Sequence, residues 1–401
     1  MPLAPSPRLA LNPRDPKEHH RASTTLELFF DLISVIAIAA VTAGLHHAIS
    51  EGHGLEALPR FVFLFLAIWW AWMNFTWFAS AFDNDDTAYR VLVMVIMGGE
   101  LIFAGGAGHI FATMDFSYGL LGWIIMRLGM VALWLRAAAG HPDHRRTALR
   151  YAAGITLAQI CWTAMYFSTV PGSPSFFLAA GLCFMVEWAT PMVAERAGGT
   201  PFHRHHMIER YGLLTIISLG EIMLAISHGF GALFEDHPSV HAALVAVSAL
   251  VIVFAVWWIY FCEQEPLPTT DLPVALVWGY GHVFIFMGIA ALGAAVAALV
   301  DVVTDHAHAT EAGVAQWLGG ALVLICLALW VTRDRVLALA PRFKLALPVL
   351  ALAYGLAALT GAPIWVFALM SVAGVIWRAP RPPAGVHGLA GGPRQPRTDG
   401  T

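Results

Sequence analysis

The chain has 401 residues, of which 58% are hydrophobic and only 12% charged. Soluble domains carry about 25% charged residues, so most of this chain is built for lipid rather than water. A formal net charge of −4 with no basic domain argues against a nucleic-acid partner.

Residues 1–23 hold Arg and Pro but no apolar stretch, which reads as a cytoplasmic tail and not as a secretory signal. Twelve apolar segments follow, at about 26–46, 59–82, 90–114, 117–137, 149–170, 175–194, 211–230, 239–262, 272–299, 315–334, 343–360 and 362–378. The last two meet at Gly361-Ala362-Pro363, a turn signal; one long tilted helix is the alternative. The Pro- and Gly-rich stretch 379–401 reads as a disordered cytoplasmic tail. The fold class is therefore an all-α membrane protein of about twelve transmembrane helices.

Basic residues give an orientation. With the N-terminus in the cytoplasm, twenty of the 22 Lys and Arg residues fall in cytoplasmic segments. Arg60 lies outside and Arg127 within a span. The expected location is the bacterial inner membrane, with both termini inside and the lipid bilayer as the first partner; a homo-oligomer is possible.

The sequence also suggests an internal repeat. The first span reads Glu27-Leu-Phe-Phe-Asp31-Leu-Ile-Ser-Val-Ile, and the seventh opens Glu209-Arg-Tyr-Gly-Leu-Leu-Thr-Ile-Ile-Ser-Leu-Gly-Glu221. The next spans carry Trp69-Trp70 and Trp257-Trp258, then acidic residues. Those after hold Gly98-Gly99-Glu100 and Gly279-Tyr280-Gly281-His282. An offset of six helices implies two parallel six-helix repeats, 24–196 and 197–378, an arrangement used by transporters.

These two motifs, with the Trp-rich second span, resemble the bacterial low-temperature-requirement A (LtrA) family over roughly residues 24–375. The resemblance implies a multi-spanning bacterial membrane protein; it supplies no substrate. Ile33-Ser34-Val35 is a minor departure from the family pattern.

Charged residues at the bilayer centre cost about 2.5–3.5 kcal/mol each on insertion scales. At 1.5 Å per residue, Glu100, Arg127, Glu221 and His282 all fall near the midplane of their segments. Glu100 and Arg127 lie on consecutive spans, so the hairpin predicts an ion pair between them. Glu221 is then left as a proton carrier or cation ligand, or as a protonated acid bonded to a neighbouring helix. Glu27 and Asp31, four apart, share one helix face and read as an acidic entrance or, for Glu27, as a helix cap; Glu209 is expected to cap the second half in the same way. Glu187 precedes Pro191 by four, which frees a carbonyl beside a carboxylate or simply kinks the helix.

Trp70, Asn74 and Trp77 follow a helical face that lines a cavity or packs. Gly98, Gly105, Gly106 and Gly108 mark a close helix contact. The four cysteines lie in apolar runs and read as packing residues, and the 18 histidines lack metal-ligand spacing. No phosphate-binding loop, hydrolase or zinc-protease motif is present, so no cofactor is expected. The sequence thus points to a secondary transporter or an ion or proton pathway for an undefined small solute. A structural or regulatory membrane protein and a lipid- or quinone-binding membrane enzyme are the alternatives.

Overall fold

The computed structural model describes residues 11–379 apart from 12, 16–17, 19–20, 233, 235–238 and 264, so the C-terminal tail lies outside the described residues. Within them the chain forms α1 (Thr25–Ser50), α2 (Gly54–Ala81), α3 (Thr87–Thr113), α4 (Ser117–Gly140), α5 (Arg145–Ser168) and α6 (Pro174–Glu195). There follow α7 (Arg204–Gly231), α8 (Val240–Phe261), α9 (Leu272–Val303), α10 (Glu311–Leu329), α11 (Pro341–Leu359) and α12 (Ile364–Arg378). Ten helices are long and apolar enough to cross a membrane once the π turn Trp330–Asp334 is counted with α10. Neither α5 nor the 15-residue α12 is among them. The chain is an integral membrane protein with a helical bundle as its whole described body.

Local sequence sets the helix starts. Thr24 caps α1 in a reciprocal capping box with Glu27: Glu27 N donates to Thr24 Oγ1, and Thr24 N donates to the Glu27 carboxylate. The side chains of Asp86, Ser173, Ser239 and Thr310 accept from the third residue on in α3, α6, α8 and α10. Gly361, at φ +63°, makes the turn that separates α11 from α12, so the final pair is two helices.

The seventh helix departs from expectation. It starts at Arg204 rather than at 211, with the His203 side chain accepting from His206 N. Glu209 is thus not a cap; it lies inside the helix, where its Oε1 accepts from Ser23 N at 3.2 Å. Arg210, read as a loop residue, lies inside the helix and is fully buried.

Helix α1 packs on α2, α3, α7 and α9 and so forms the axis of the bundle. Helices α3 and α4 approach closely because both are glycine there. A Cβ on Gly99 would stand 2.7 Å from the Gly122 carbonyl oxygen, and one on Gly122 would stand 2.5 Å from that of Gly99. The contact glycines on α3 are Gly99 and Gly106, where an added Cβ would stand 2.8 Å from Tyr118 Cβ of α4, whereas Gly98, Gly105 and Gly108 face open space.

Ahead of α1, the backbone of Leu11 donates to Arg136 O, that of Arg14 to Ala81 O, and Pro13 bridges to Phe82. This arm lies across the helix ends on the side where α1 begins. Asp83 sits beneath it, with Arg14 and Arg21 at 3.8 and 3.9 Å. Burial, followed by the negative charge of Glu27, pushes the Asp83 carboxyl up from its ordinary value.

Candidate functional site

Among the described residues, two clusters of paired charge built around the expected acids and one acid without a partner lie inside the bundle, and a third cluster of buried pairs sits at the ends of α8, α10 and α12. The first cluster joins α1 to α7. Arg210 grips Asp31 with two nitrogens, Nε at 3.0 Å and Nη2 at 2.6 Å, and Trp72 Nε1 donates to the same carboxylate at 2.7 Å. One turn nearer the start of α1, Glu27 Oε1 stands 3.0 Å from His206 Nε2 and 3.4 Å from both Arg21 and Arg210. Arg21 also donates to the carbonyls of Ala79 and Ser80 at the end of α2. Glu27 is therefore both a helix cap and part of an ion network. Asp31 and Arg210 are completely buried. A buried pair of this kind holds only if geometry is good and the remaining donors are used; the bidentate fork with the indole meets the first condition, while Arg210 Nη1 makes no hydrogen bond and only approaches Glu27 at 3.4 Å.

The second cluster lies in the first six helices. Arg127 Nη2 reaches Glu187 Oε1 at 2.7 Å, not Glu100. Two indoles complete the carboxylate: Trp70 Nε1 at 2.8 Å and Trp162 Nε1 at 3.2 Å. Trp123 places its ring 5.2 Å from the guanidinium carbon. The expected hairpin pair fails for a geometric reason. Gly99 of α3 lies against Met126 of α4, and the next residue on each helix is turned about 100° away. Glu100 is carried onto α1, and Arg127 toward α6. Pro191 lies inside α6, and Glu187 is held in an aromatic-lined ion pair.

Glu100 is the unpaired acid. It is 0% exposed, and neither carboxylate oxygen has a hydrogen-bond partner. The Ser34 hydroxyl is near enough to act on it without forming a bond of good geometry, and Asp31 adds a like charge. Its depth is central: thirteen residues of α3 precede it and thirteen follow.

The other expected residues separate. His282 is buried in an aromatic setting, with Nδ1 2.7 Å from Trp278 O and Nε2 3.2 Å from the Tyr260 hydroxyl. Glu221 is not in the interior. It is exposed on the outward side of α7, and the earlier start of the helix places it seventeen residues from that start. Trp70, Asn74 and Trp77 are packed and bonded: Asn74 Nδ2 donates to Trp70 O, and Trp77 Nε1 donates to the Tyr211 hydroxyl. Asn74 and Trp77 border only a small void of about 20 Å3.

Sequence reasoning missed Arg210 and also a cluster at the ends of α8, α10 and α12. There Arg378 reaches Asp334 and Glu263, both at 2.9 Å, and Arg333 donates to Asp334 and to the carbonyls of Ile259 and Tyr260. Two acids four apart on α1 called for a buried cation, and that was the available signal for Arg210. For Arg333 and Asp334 nothing local announced the π turn that turns both inward.

A wide cavity of about 550 Å3 opens at the opposite ends of α1, α2 and α3, lined by Ala40, Gly44, His47, Glu56, Arg60 and Gly108 among others. Gly108 lies eight residues beyond Glu100 on α3, or about 12 Å.

The profile of a family described as "Bacterial low temperature requirement A protein (LtrA)" matches residues 22–379. The chain is also similar to an uncharacterized protein of Rhizobium meliloti (strain 1021), at 27% identity over 332 residues, covering 77% of this chain and 76% of that protein. With the matched segment spanning every helix from the Glu27–Asp31 motif to α12, the chain belongs to the bacterial low temperature requirement A family.

Proposed function

We propose that the protein is a secondary transporter or proton or ion pathway, and that its working element is the α1–α3 interface with Glu100 at the centre. The observation that carries this reading is the carboxyl group of Glu100, buried at mid-helix without a hydrogen-bond partner. Such a group avoids an isolated buried charge by holding a proton or by sharing a cation. Evolution tolerates an intramembrane acid chiefly where it works. Glu27, Asp31 and Ser34 stand at i, i+4 and i+7 on α1 and lead from the helix start toward Glu100. On the far side the cavity of about 550 Å3 reaches within about two turns of it. Between them Ile38, Val41, Ala104 and Ala107 are buried and apolar, so passage requires the helices to part, as alternating access does.

The two-repeat reading, 24–196 and 197–378, is part of the same proposal. Helices α1·α2, α1·α3, α3·α4, α4·α5 and α5·α6 are in contact, and so are α7·α8, α7·α9, α9·α10, α10·α11 and α11·α12. The charge asymmetry of the loops supports a cytoplasmic location for the face where α1 begins.

A second reading is structural. Glu27, Asp31 and Glu187 all have cationic partners, as a scaffold would arrange them. Flux decides between the two. In proteoliposomes under an imposed pH gradient or cation gradient, wild type is expected to move protons or one of the cations, and Glu100→Gln is expected to lose that flux. No flux from wild type across protons, monovalent cations and a small-solute panel overturns the transport reading.

A further inference from the structure

On the side of the bundle where α1 begins, many arginines are used on acids: Arg90, Arg136, Arg204 and Arg378 each meet a carboxylate. Four at one corner are not. Arg145, Arg146 and Arg150 open α5, Arg196 follows the last residue of α6, and all four are exposed. None of them has a carboxylate partner among the described residues.

The corner is one surface. Arg150 Nη1 donates to Val193 O in the last turn of α6 at 3.1 Å, and the Tyr151 hydroxyl donates to Glu195 Oε1 at 2.7 Å. Two acids lie near. Glu195 is turned inward, where its carboxylate also accepts from Thr200 N and Oγ1, and Asp143 stands 3.6 Å from His141. The four guanidinium groups therefore leave the corner with a net positive charge.

Their direction on α5 says what they meet. At 100° per residue, Arg145, Arg146 and Arg150 fall within an arc of about 140°. Leu149, Leu157, Ile160 and Phe167 fall in the same arc, and all are exposed. The opposite arc carries Tyr151, Ile155, Ala158 and Trp162, all buried. The arginines thus stand at the end of the stripe that α5 presents to acyl chains. Arg150 is the sixth residue of the helix, about 8 Å from its start, and from that depth a long cationic side chain reaches the head-group layer. A soluble anion would need only the charges, whereas charges joined to an apolar stripe suit an anion that carries its own acyl chain. A zwitterionic head group brings an ammonium toward the arginines and gains little.

We propose that the α5–α6 corner is a binding site for anionic phospholipid. The phosphodiester lies among Arg145, Arg146, Arg150 and Arg196, and an acyl chain lies along Leu149, Leu157 and Ile160. The site rests on the lipid-facing stripe of α5 and not on the Glu100 pathway.

The test uses the full-length protein in phosphatidylcholine nanodiscs doped with a sub-saturating amount of phosphatidylglycerol that carries a diazirine in its acyl chain. A phosphatidylcholine probe with the same chain is run in parallel, and adducts are mapped by peptide mass spectrometry. The anionic probe is expected to favour residues 149–160 over the exposed stripe of α8 formed by Leu244, Val247 and Phe254, and the zwitterionic probe to show no such preference. Each arginine at an anionic membrane surface adds about fivefold to affinity, so Arg145→Gln with Arg146→Gln should cut labelling by the anionic probe about 25-fold. Both side chains are exposed and unpaired, so the melting temperature should stay at the wild-type value. Arg145→Lys with Arg146→Lys keeps the charge and should keep most of the labelling. High salt should weaken labelling of the wild type, a readout that needs no variant. Equal preference by the two probes means ordinary boundary lipid and overturns the proposal. So does labelling that neither the Gln pair nor salt reduces, and so does displacement by glycerol 3-phosphate, which would mark a soluble phosphate as the ligand.

Discussion

Asp31 and Glu100 are neighbours in the α1–α3 region, yet the fold surrounds them differently. Asp31 receives a two-pronged guanidinium and an indole N–H, so its charge is balanced and its oxygens are occupied. Glu100 receives nothing at hydrogen-bond geometry. Burial alone does not distinguish them, since both are fully buried. Partnership does. A satisfied ion pair can be judged by what its loss does to stability, whereas an unsatisfied acid contributes little to packing and must be judged by activity. Arg127 and Glu187 belong with Asp31 in this division, and Glu221, on the outer surface of α7, belongs with neither.

That contrast predicts graded consequences. The largest belongs to Arg210→Met, which strands Asp31 and weakens the hold on Glu27. Breaking one side of a buried ion pair costs about 3–5 kcal/mol, so yield in the membrane and melting temperature should both fall. The double substitution Asp31→Asn with Arg210→Met should recover much of that loss. If it does not, the pair is not the source of stability.

Glu187→Gln comes next. The amide oxygen can still accept from Trp70 or Trp162, so the penalty, about 3 kcal/mol, comes chiefly from leaving Arg127 uncompensated. Denaturation in detergent would read it, and a variant as stable as wild type would remove Arg127–Glu187 from the list of structural pairs. Gly122→Ala is expected to cost about 1–3 kcal/mol by overpacking against Gly99 and Phe103. It should also displace Glu100 relative to α1, which a fall in flux alongside the melting temperature would register. The smallest effect belongs to Glu221→Gln. An exposed site away from caps and pairs changes stability by within about 0.5 kcal/mol, and flux should match wild type. Loss of flux there would return Glu221 to the pathway and break the division drawn above.

The helical architecture was legible because each span is a long apolar run closed by turn or cap residues. Gly361 showed in advance where α11 and α12 divide. Pairing was not legible, because it depends on rotation about each helix axis. One residue of rotation separates Gly99 from Glu100 and Met126 from Arg127, and this sends the two charges to different neighbours. The partner of Arg127 is 60 residues away on α6, beyond any hairpin argument. The start of α7 was hidden because the apolar run begins only at 211, after His205, His206, Glu209 and Arg210, although His206 and Arg210 are buried against α1. That shift of seven residues puts Glu221 past mid-helix, and its outward direction is set by rotation about the α7 axis, which the limits of an apolar run do not give. Within the candidate site, Glu100 was singled out by its cost in hydrocarbon and Glu27 and Asp31 by their shared helix face, whereas Arg210 needed its acids to be seen around it.

The most direct test measures two properties of Glu100→Gln and Asp31→Asn side by side, with melting temperature in detergent and proton flux in proteoliposomes read on the same preparations. The account predicts that Glu100→Gln keeps the wild-type melting temperature and loses flux, while Asp31→Asn lowers the melting temperature. A Glu100→Gln protein that conducts like wild type, or that loses flux only because it unfolds, would contradict it.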